Sequence, residues 1–337
     1  MNKKIDKKDH YLDSLNYICS NQLENGMILW DSSGKFDPWD HIEAAMALTV
    51  FDEFEDAKKA YKWLIKNQTP QGGWFSEYKF ELPIDRKQET NFAAYFATGI
   101  WHYYLITEDK VFLEGCLNTL CNSISFIADL QSKHGDILWA LDEYGAPMDD
   151  SLITGCSSIY KSLECAEAIF KTFDMNSEEI SDLKKAIKDS IKNYPMRFDR
   201  TKDRSRYSMD WYYPILCGLY RDKEGQSRLE NKWKDFVVEG LGCKCVEEEP
   251  WVTIAESSEL VMALMNLGEA NLALELFSWL DQWKDKDNVY WTGYVYPDKA
   301  FWPEEKPTWT CGAVILAADS IYKFSKGSEL FLKDWSL

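Results

Sequence analysis

Three carboxylic acids stand in surroundings that could make them reactive. Asp40 lies in Asp37-Pro38-Trp39-Asp40-His41, Asp210 in Ser208-Met209-Asp210-Trp211-Tyr212-Tyr213-Pro214, and Glu256 in Pro250-Trp251-Val252-Thr253-Ile254-Ala255-Glu256. Each alone has a plain explanation. Thr253-x-x-Glu256 is a capping box, and Asp37-Pro38-x-Asp40 reads as N-cap, proline at N1 and an acid at N3. Together they suggest chemistry. Hydrolysis of a glycosidic bond needs one protonated and one ionised carboxyl group, and an indole-lined pocket raises a carboxyl pKa by desolvation. On this reading Glu256 is the general acid and Asp40 the base that holds a water, and Asp210 is a third member or the true base. Glu259, one helical turn after Glu256, is placed to tune it. The expected substrate walls are Trp39, His41, Trp74, Trp211, Tyr212, Tyr213, Trp251, Trp291 and Tyr296, with Tyr290 beside them and Asp298 as a further polar contact.

The composition points the same way. The 337 residues include 15 Trp, 18 Tyr and 17 Phe but only 4 His, and the net charge is -18. Such acidity disfavours nucleic acid and anionic membrane as partners, because both call for basic patches. Aromatic faces with carboxylates and few bases suit a neutral carbohydrate, whose hydroxyls donate to carboxylates. No metal or cofactor is expected. Cys243-x-Cys245 lacks the spacing of a zinc motif and has no His nearby, and no phosphate-cradling Gly loop or G-x-S-x-G elbow occurs. The nine scattered Cys, an odd number, read as reduced thiols. With a charged N-terminus and no uncharged apolar run approaching the roughly 18 residues of a spanning helix, a cytoplasmic location without a membrane span is expected.

The elements that must position these residues are helices. Apolar spacing, caps and breakers predict twelve, near 8–20, 39–52, 55–67, 89–106, 109–131, 152–172, 177–193, 208–220, 224–239, 254–267, 269–284 and 308–325, and no convincing period-2 strand appears. The even-numbered helices are apolar nearly all round, as in Ala44-Ala45-Met46-Ala47-Leu48, and are therefore expected to be buried on every face. The odd ones are amphipathic. Connections alternate short and long, and landmarks at the even helix starts (Trp39, Asn91, Thr154, Asp210, Glu256, Thr308) are 52, 63, 56, 46 and 52 residues apart. Six helical hairpins at this period predict an all-α (α/α)6 toroid, one domain over residues 1–337; the alternative is an open stack. In the toroid the long loops share one face. Nine of the 15 Trp fall in or beside them, some as plugs of the ring and the rest lining a cleft. Placing the acids on opposite sides of the ring favours the wider, inverting carboxyl spacing.

The segment Gln68-Thr69-Pro70-Gln71-Gly72-Gly73-Trp74 resembles the QW-type repeat of squalene cyclases and the toroid of prenyltransferase β-subunits. Its structural reading is a tight turn with Trp74 on a helix end. The cyclases' D-x-D-D acid and the prenyltransferases' zinc set are not recognisable. A closer resemblance rests on Asp37–Ala47, Gly99-Ile100-Trp101-His102-Tyr103-Tyr104, Ser208–Pro214, Pro250–Glu256 and Tyr290-Trp291-Thr292-Gly293-Tyr294-Val295-Tyr296-Pro297-Asp298. These look like a bacterial (α/α)6 family often labelled prenyltransferase or squalene-cyclase-like, the family of the mycobacterial methylmannose polysaccharide hydrolases. That likeness implies hydrolysis of an α-mannan-type polysaccharide by an Asp and a Glu, at Asp40 and Glu256. Three other readings stay open at this level. One is an isoprenoid cyclase or transferase. The second is a sugar lyase or epimerase, for which Arg197, Arg200, Arg204 and Arg206 would hold a uronate. The third is a glycan-binding protein without catalysis.

Overall fold

The structure, a computed structural model, describes residues 7–335. Twelve α-helices occur among them. The inner set is α2 (Pro38–Val50), α4 (Thr90–Thr107), α6 (Ile153–Thr172), α8 (Ser208–Leu216), α10 (Ile254–Asn266) and α12 (Thr308–Tyr322). The outer set is α1 (Leu12–Ser20), α3 (Phe54–Asn67), α5 (Lys110–Asp129), α7 (Glu178–Asn193), α9 (Asp222–Phe236) and α11 (Ala270–Ser278). Each inner helix packs on the next, and α12 packs on α2, so the ring closes. The open stack is thereby excluded. Five outer helices pack on the inner helix that precedes them, while α1 packs on α12. The sixth hairpin is thus assembled from the two ends of the chain.

Burial follows the sequence pattern. Every residue of α2 is buried, as an all-round apolar helix requires. In α7 the buried residues include Ile180, Leu183, Ile187 and Ile191, a stripe at i, i+3, i+4 spacing with charges on the other faces. By length and composition alone one described helix, α5, is apolar enough to cross a membrane; here its Leu113, Cys116, Leu120 and Ile127 are buried and it packs against α4. Helix α8 ends at Leu216, four residues short of expectation. Gly218 takes a left-handed φ of 77° just beyond it, the usual device for ending a helix.

The long loops hold short strands that the sequence did not announce. β1 (Lys35–Phe36), β2 (Glu77–Lys79) and β3 (Leu82–Asp85) form one sheet, and β4 (Gln88–Glu89) pairs with β5 (Ala140–Leu141). A five-stranded antiparallel sheet runs in the order β10 (Ala300–Phe301), β9 (Gly293–Val295), β8 (Trp251–Thr253), β7 (Gly242–Lys244) and β6 (Val237–Val238). All lie on the face where the inner helices begin. The opposite end of the ring is closed by residues 326–335, where Trp335 sets its ring edge-on to Trp101 at 5.5 Å. All nine cysteines are unpaired.

Candidate active site

The first turns of the inner helices surround the mouth of the ring. Asp37 caps α2, its Oδ1 accepting the Asp40 N–H at 2.9 Å, so the plain reading holds for Asp37. It does not hold for Glu256. The Thr253 side chain makes no capping bond at the start of α10, and Glu256 is not tied down as a capping-box member. Asp40, Asp210 and Glu256 are each buried but not sealed, at 8%, 6% and 7% exposure, whereas Glu43 and Glu259, one turn deeper, are closed off at 1% and 0%. Residues i and i+3 share a helix face, so α2 and α10 each carry two tiers of carboxyl groups: Asp40 above Glu43, and Glu256 above Glu259.

These groups feel one another. Burial drives Asp40 well above the usual carboxylate range, and its contact with the Asp37 carboxyl and the nearby Glu43 push the same way. Burial likewise raises Glu259, with Glu43 and Glu256 adding repulsion against a Tyr212 hydrogen bond that opposes it. Glu43 collects three donors: Trp39 Nε1 at 3.0 Å, Tyr95 OH at 2.8 Å and Trp309 Nε1 at 2.8 Å. Burial raises it to about 7 while these donors pull it down. Trp39 also stacks on Tyr95 at 4.5 Å and 10° and approaches Tyr213 at 5.7 Å.

The mouth carries polar atoms waiting for a partner. Asn91 Oδ1, Thr253 Oγ1 and Thr310 Oγ1 are buried without a hydrogen-bonding protein group, and Asp40 Oδ2 and Asp210 Oδ2 have none beyond the carboxyls of Asp37 and Asp199. They belong to the starts of α2, α4, α8, α10 and α12, five of the six inner helices. Unsatisfied buried polar groups are costly and rare, and a ring of them fits a hydroxyl-rich ligand. Among the described residues no His, Cys, Asp and Glu group is arranged to hold a metal.

Several expected wall residues are placed elsewhere. Trp74 is fully buried, with its Nε1 donating to the Leu64 carbonyl at 2.8 Å; it is core, as the tight-turn reading anticipated. His41 accepts the Ile28 N–H at its Nδ1 and pairs its Nε2 with the Ala60 carbonyl. Burial lowers it to about 4, so it is a neutral packing residue. Trp211 turns outward, bonds the Arg228 carbonyl and stacks on Phe236 at 5.4 Å. Tyr290 is buried and donates to Asp281. Asp298 is exposed in the turn between β9 and β10. Tyr212 is sealed, its hydroxyl donating to Glu259, so it supports the site from behind. Tyr213 lies in the aromatic cluster with its hydroxyl unpartnered. On or beside the five-stranded sheet, Trp251 packs edge-on to Trp302 at 4.9 Å; Trp291 stacks on Phe301 at 5.0 Å; Tyr296 is half-buried.

The ring order corrects one expectation. Helices α2 and α10 do not face each other; both flank α12, and α8 stands opposite α2. The loop arginines are also accounted for. Arg197 forks onto Asp136, Arg200 pairs with Asp149 and Arg206 with Glu248, while Arg204 lies over Trp139. The cluster proposed for a uronate therefore mostly ties loops together.

No family model matches the chain. Over 314 residues, 93% of this chain and 86% of the relative, the sequence is 40% identical to the MMP endo-(1,4)-3-O-methyl-alpha-D-mannosidase of Mycolicibacterium hassiacum. The chain belongs to this glycoside hydrolase family. Solved structures similar to the hydrolase include a glycosidase (TM-score 0.74, 12% identity, 94% of this chain and 96% of that one). A D-mannose isomerase matches at 0.72 and 10% identity, over 96% and 100% of the two chains. A sugar epimerase from a ruminal bacterium matches at 0.68 and 14%, over 91% and 98%. At these identities the likeness shows the (α/α)6 toroid alone.

Glu43 was missed at the sequence level, although the i+3 rule that singled out Glu259 also selects it. Its three bonds make it the anchor of two indoles at the mouth. Glu43→Gln keeps an acceptor for Trp39 and Tyr95 but turns an NH2 toward the Trp309 N–H. The expected result is a KM raised about tenfold, roughly one lost hydrogen bond to a charged acceptor, with kcat reduced less. An unchanged KM would remove Glu43 from this role.

Proposed function

We propose that the enzyme cleaves internal α-(1,4) bonds of a 3-O-methylated mannan-type chain, using Asp40 and Glu256 with inversion at the anomeric carbon. The observation that carries this reading is the pairing of an Asp and a Glu tier at a mouth ringed with unpartnered polar atoms, in a chain 40% identical to an enzyme named for that activity. The aromatic cluster of Trp39, Tyr95, Tyr213 and Trp309 suits a methylated sugar, because each O-methyl group adds apolar surface that burial stabilises. Neighbouring helices pack about 8–10 Å apart. Inward carboxyls from second-neighbour helices favour the wider spacing, roughly 6.5–9.5 Å, that admits a water. Burial and the Asp37 contact, which raise Asp40, support Asp40 as the donor to the leaving group and Glu256 as the base, the reverse of the roles expected from sequence. Nine unpaired thiols suit a reducing, cytoplasmic setting.

The test is digestion of a 3-O-methylated α-(1,4)-mannooligosaccharide series beside the unmethylated one, followed by proton NMR of fresh products. Internal fragments bearing the β-anomer first, with the methylated series preferred, are the expected outcome. Release of monosaccharide alone would overturn the endo assignment, and initial α-anomer the inversion.

A further inference from the structure

A cavity of about 700 Å³ lies on the loop face beside the ring mouth, between the 199–205 loop, the first turn of α8 and helix α9. This is within the range of ligand pockets, roughly 300–1,000 Å³. Its base is a carboxyl pair, Asp199 and Asp210. Asp210 Oδ1 accepts from Thr154 Oγ1 at 2.5 Å, and the Asp210 and Asp199 carboxyls bond each other; beyond that contact Asp210 Oδ2 and Asp199 Oδ1 are buried without a protein partner. Burial raises Asp199 to about 8, and repulsion from the Asp210 carboxyl it touches pushes the same way. The frame is rigid. Arg228 on α9 donates to the Asp210 carbonyl at 2.6 Å and the Trp211 carbonyl at 2.8 Å, and Trp211 Nε1 returns a bond to the Arg228 carbonyl at 2.8 Å.

The lining combines these oxygens with Trp211, Tyr220 and the polar Asn231. Two of the lining charges are paired off, while Lys223 and Arg228 have no carboxylate within ion-pair distance among the described residues. Lys232 reaches Glu247 at 2.6 Å, and Glu224 receives Lys192 at 2.6 Å. A pocket that joins carboxyl acceptors, aromatic faces and cationic donors suits a polyol, whose hydroxyls both donate and accept. Helix α8 adjoins α10, which carries Glu256, so a long chain crossing the mouth can reach this cavity.

We propose that this cavity is a second carbohydrate site that holds a sugar unit of the substrate chain away from the scissile bond, with Asp199 and Asp210 accepting its hydroxyls. This assignment rests on the mannan-type reading above and moves Asp210 from catalysis to binding. It is tested with Ser227→Trp, which fills the cavity from an exposed position on α9, and independently with Asp199→Asn. On oligosaccharides too short to span both sites, kcat/KM should stay within twofold of wild type; on long chains of the same linkage it should fall about tenfold. Equal responses on short and long chains in both variants would overturn the proposal. Calorimetry of a methylated mannotetraose on the Glu256→Gln protein gives a readout independent of turnover. Two molecules should bind per chain, and one after adding Ser227→Trp. A stoichiometry that Ser227→Trp and Asp199→Asn both leave unchanged overturns the second site even where cleavage is seen. Two-site binding without cleavage by wild type would instead count against the proposed hydrolysis alone.

Discussion

Glu256→Gln and Asp40→Asn should each lower kcat/KM on the methylated mannooligosaccharide by on the order of 10²–10⁴-fold, the usual worth of a positioned acid or base, while leaving the circular dichroism and melting profile near wild type. Both side chains are exposed only at one edge of the mouth, and neither anchors a neighbouring helix through a hydrogen bond. Their roles separate with the leaving group. A dinitrophenyl glycoside needs no protonation, so it should restore most of the activity of the donor variant, Asp40→Asn, and little of Glu256→Gln. The pH profile supplies a second test. Asp37 is engaged by the Asp40 N–H, and its carboxyl raises Asp40 through repulsion and direct contact. The alkaline limb of kcat/KM reports loss of the Asp40 proton, so it should lie well above the ordinary carboxylate range. Burial, the larger cause, stays in place, so Asp37→Asn removes only the part that Asp37 adds and should move the limb partway to lower pH. An unmoved limb, or full activity in both carboxamide variants, would remove Asp40 and Glu256 from the chemistry.

The ring was legible in the sequence because its cause is local. All-round apolar helices alternate with striped ones, and that contrast survives errors of a few residues at each boundary. The strands were not legible because each has only two to four residues, too few to show a period of two, and some pair at long range; Trp251 faces Val295 in register only after the ring has formed. The site divides in the same way. Asp40 and Glu256 showed themselves by residue type and surroundings. Side-chain direction did not. His41 follows Asp40 directly, yet successive helical residues point about 100° apart, and His41 turns back to the backbone of Ile28 and Ala60. Trp211 departs from Asp210 for the same reason. Asp199 could not be found from sequence, since no short-range pattern carries a loop residue to the first turn of α8. Glu43 was within reach, through the helical spacing alone.

The far end of the ring gives the largest expected change in stability. Lys161 and Glu164 sit one turn apart on α6, both 1% exposed, with Nζ and Oε1 2.5 Å apart. They also hold the chain end that closes the ring. Lys161 Nζ donates to the Lys333 carbonyl at 2.7 Å, and the Trp335 N–H donates to Glu164 Oε1 at 3.0 Å. Glu164 Oε2 has no protein partner, so Lys161 is the only cation among its described bonding partners. Lys161→Met should therefore cost about 3–5 kcal/mol in denaturant unfolding, because it leaves a buried carboxylate uncompensated. The double variant Lys161→Met/Glu164→Leu should recover most of that loss, since an apolar pair of similar volume avoids the desolvation of two charges. Its remaining deficit should reflect the Trp335 N–H, about 1–3 kcal/mol for a buried donor left without an acceptor. Catalysis should respond differently. The pair lies at the middle of its helix and bonds residues 333 and 335 at the far end of the ring, so kcat at a temperature where the single variant is folded should match wild type. A single variant within about 1 kcal/mol of wild type would mean that Glu164 finds another partner when Lys161 is lost. A double variant no more stable than the single would mean that anchoring of residues 333–335, rather than charge compensation, is what the pair contributes.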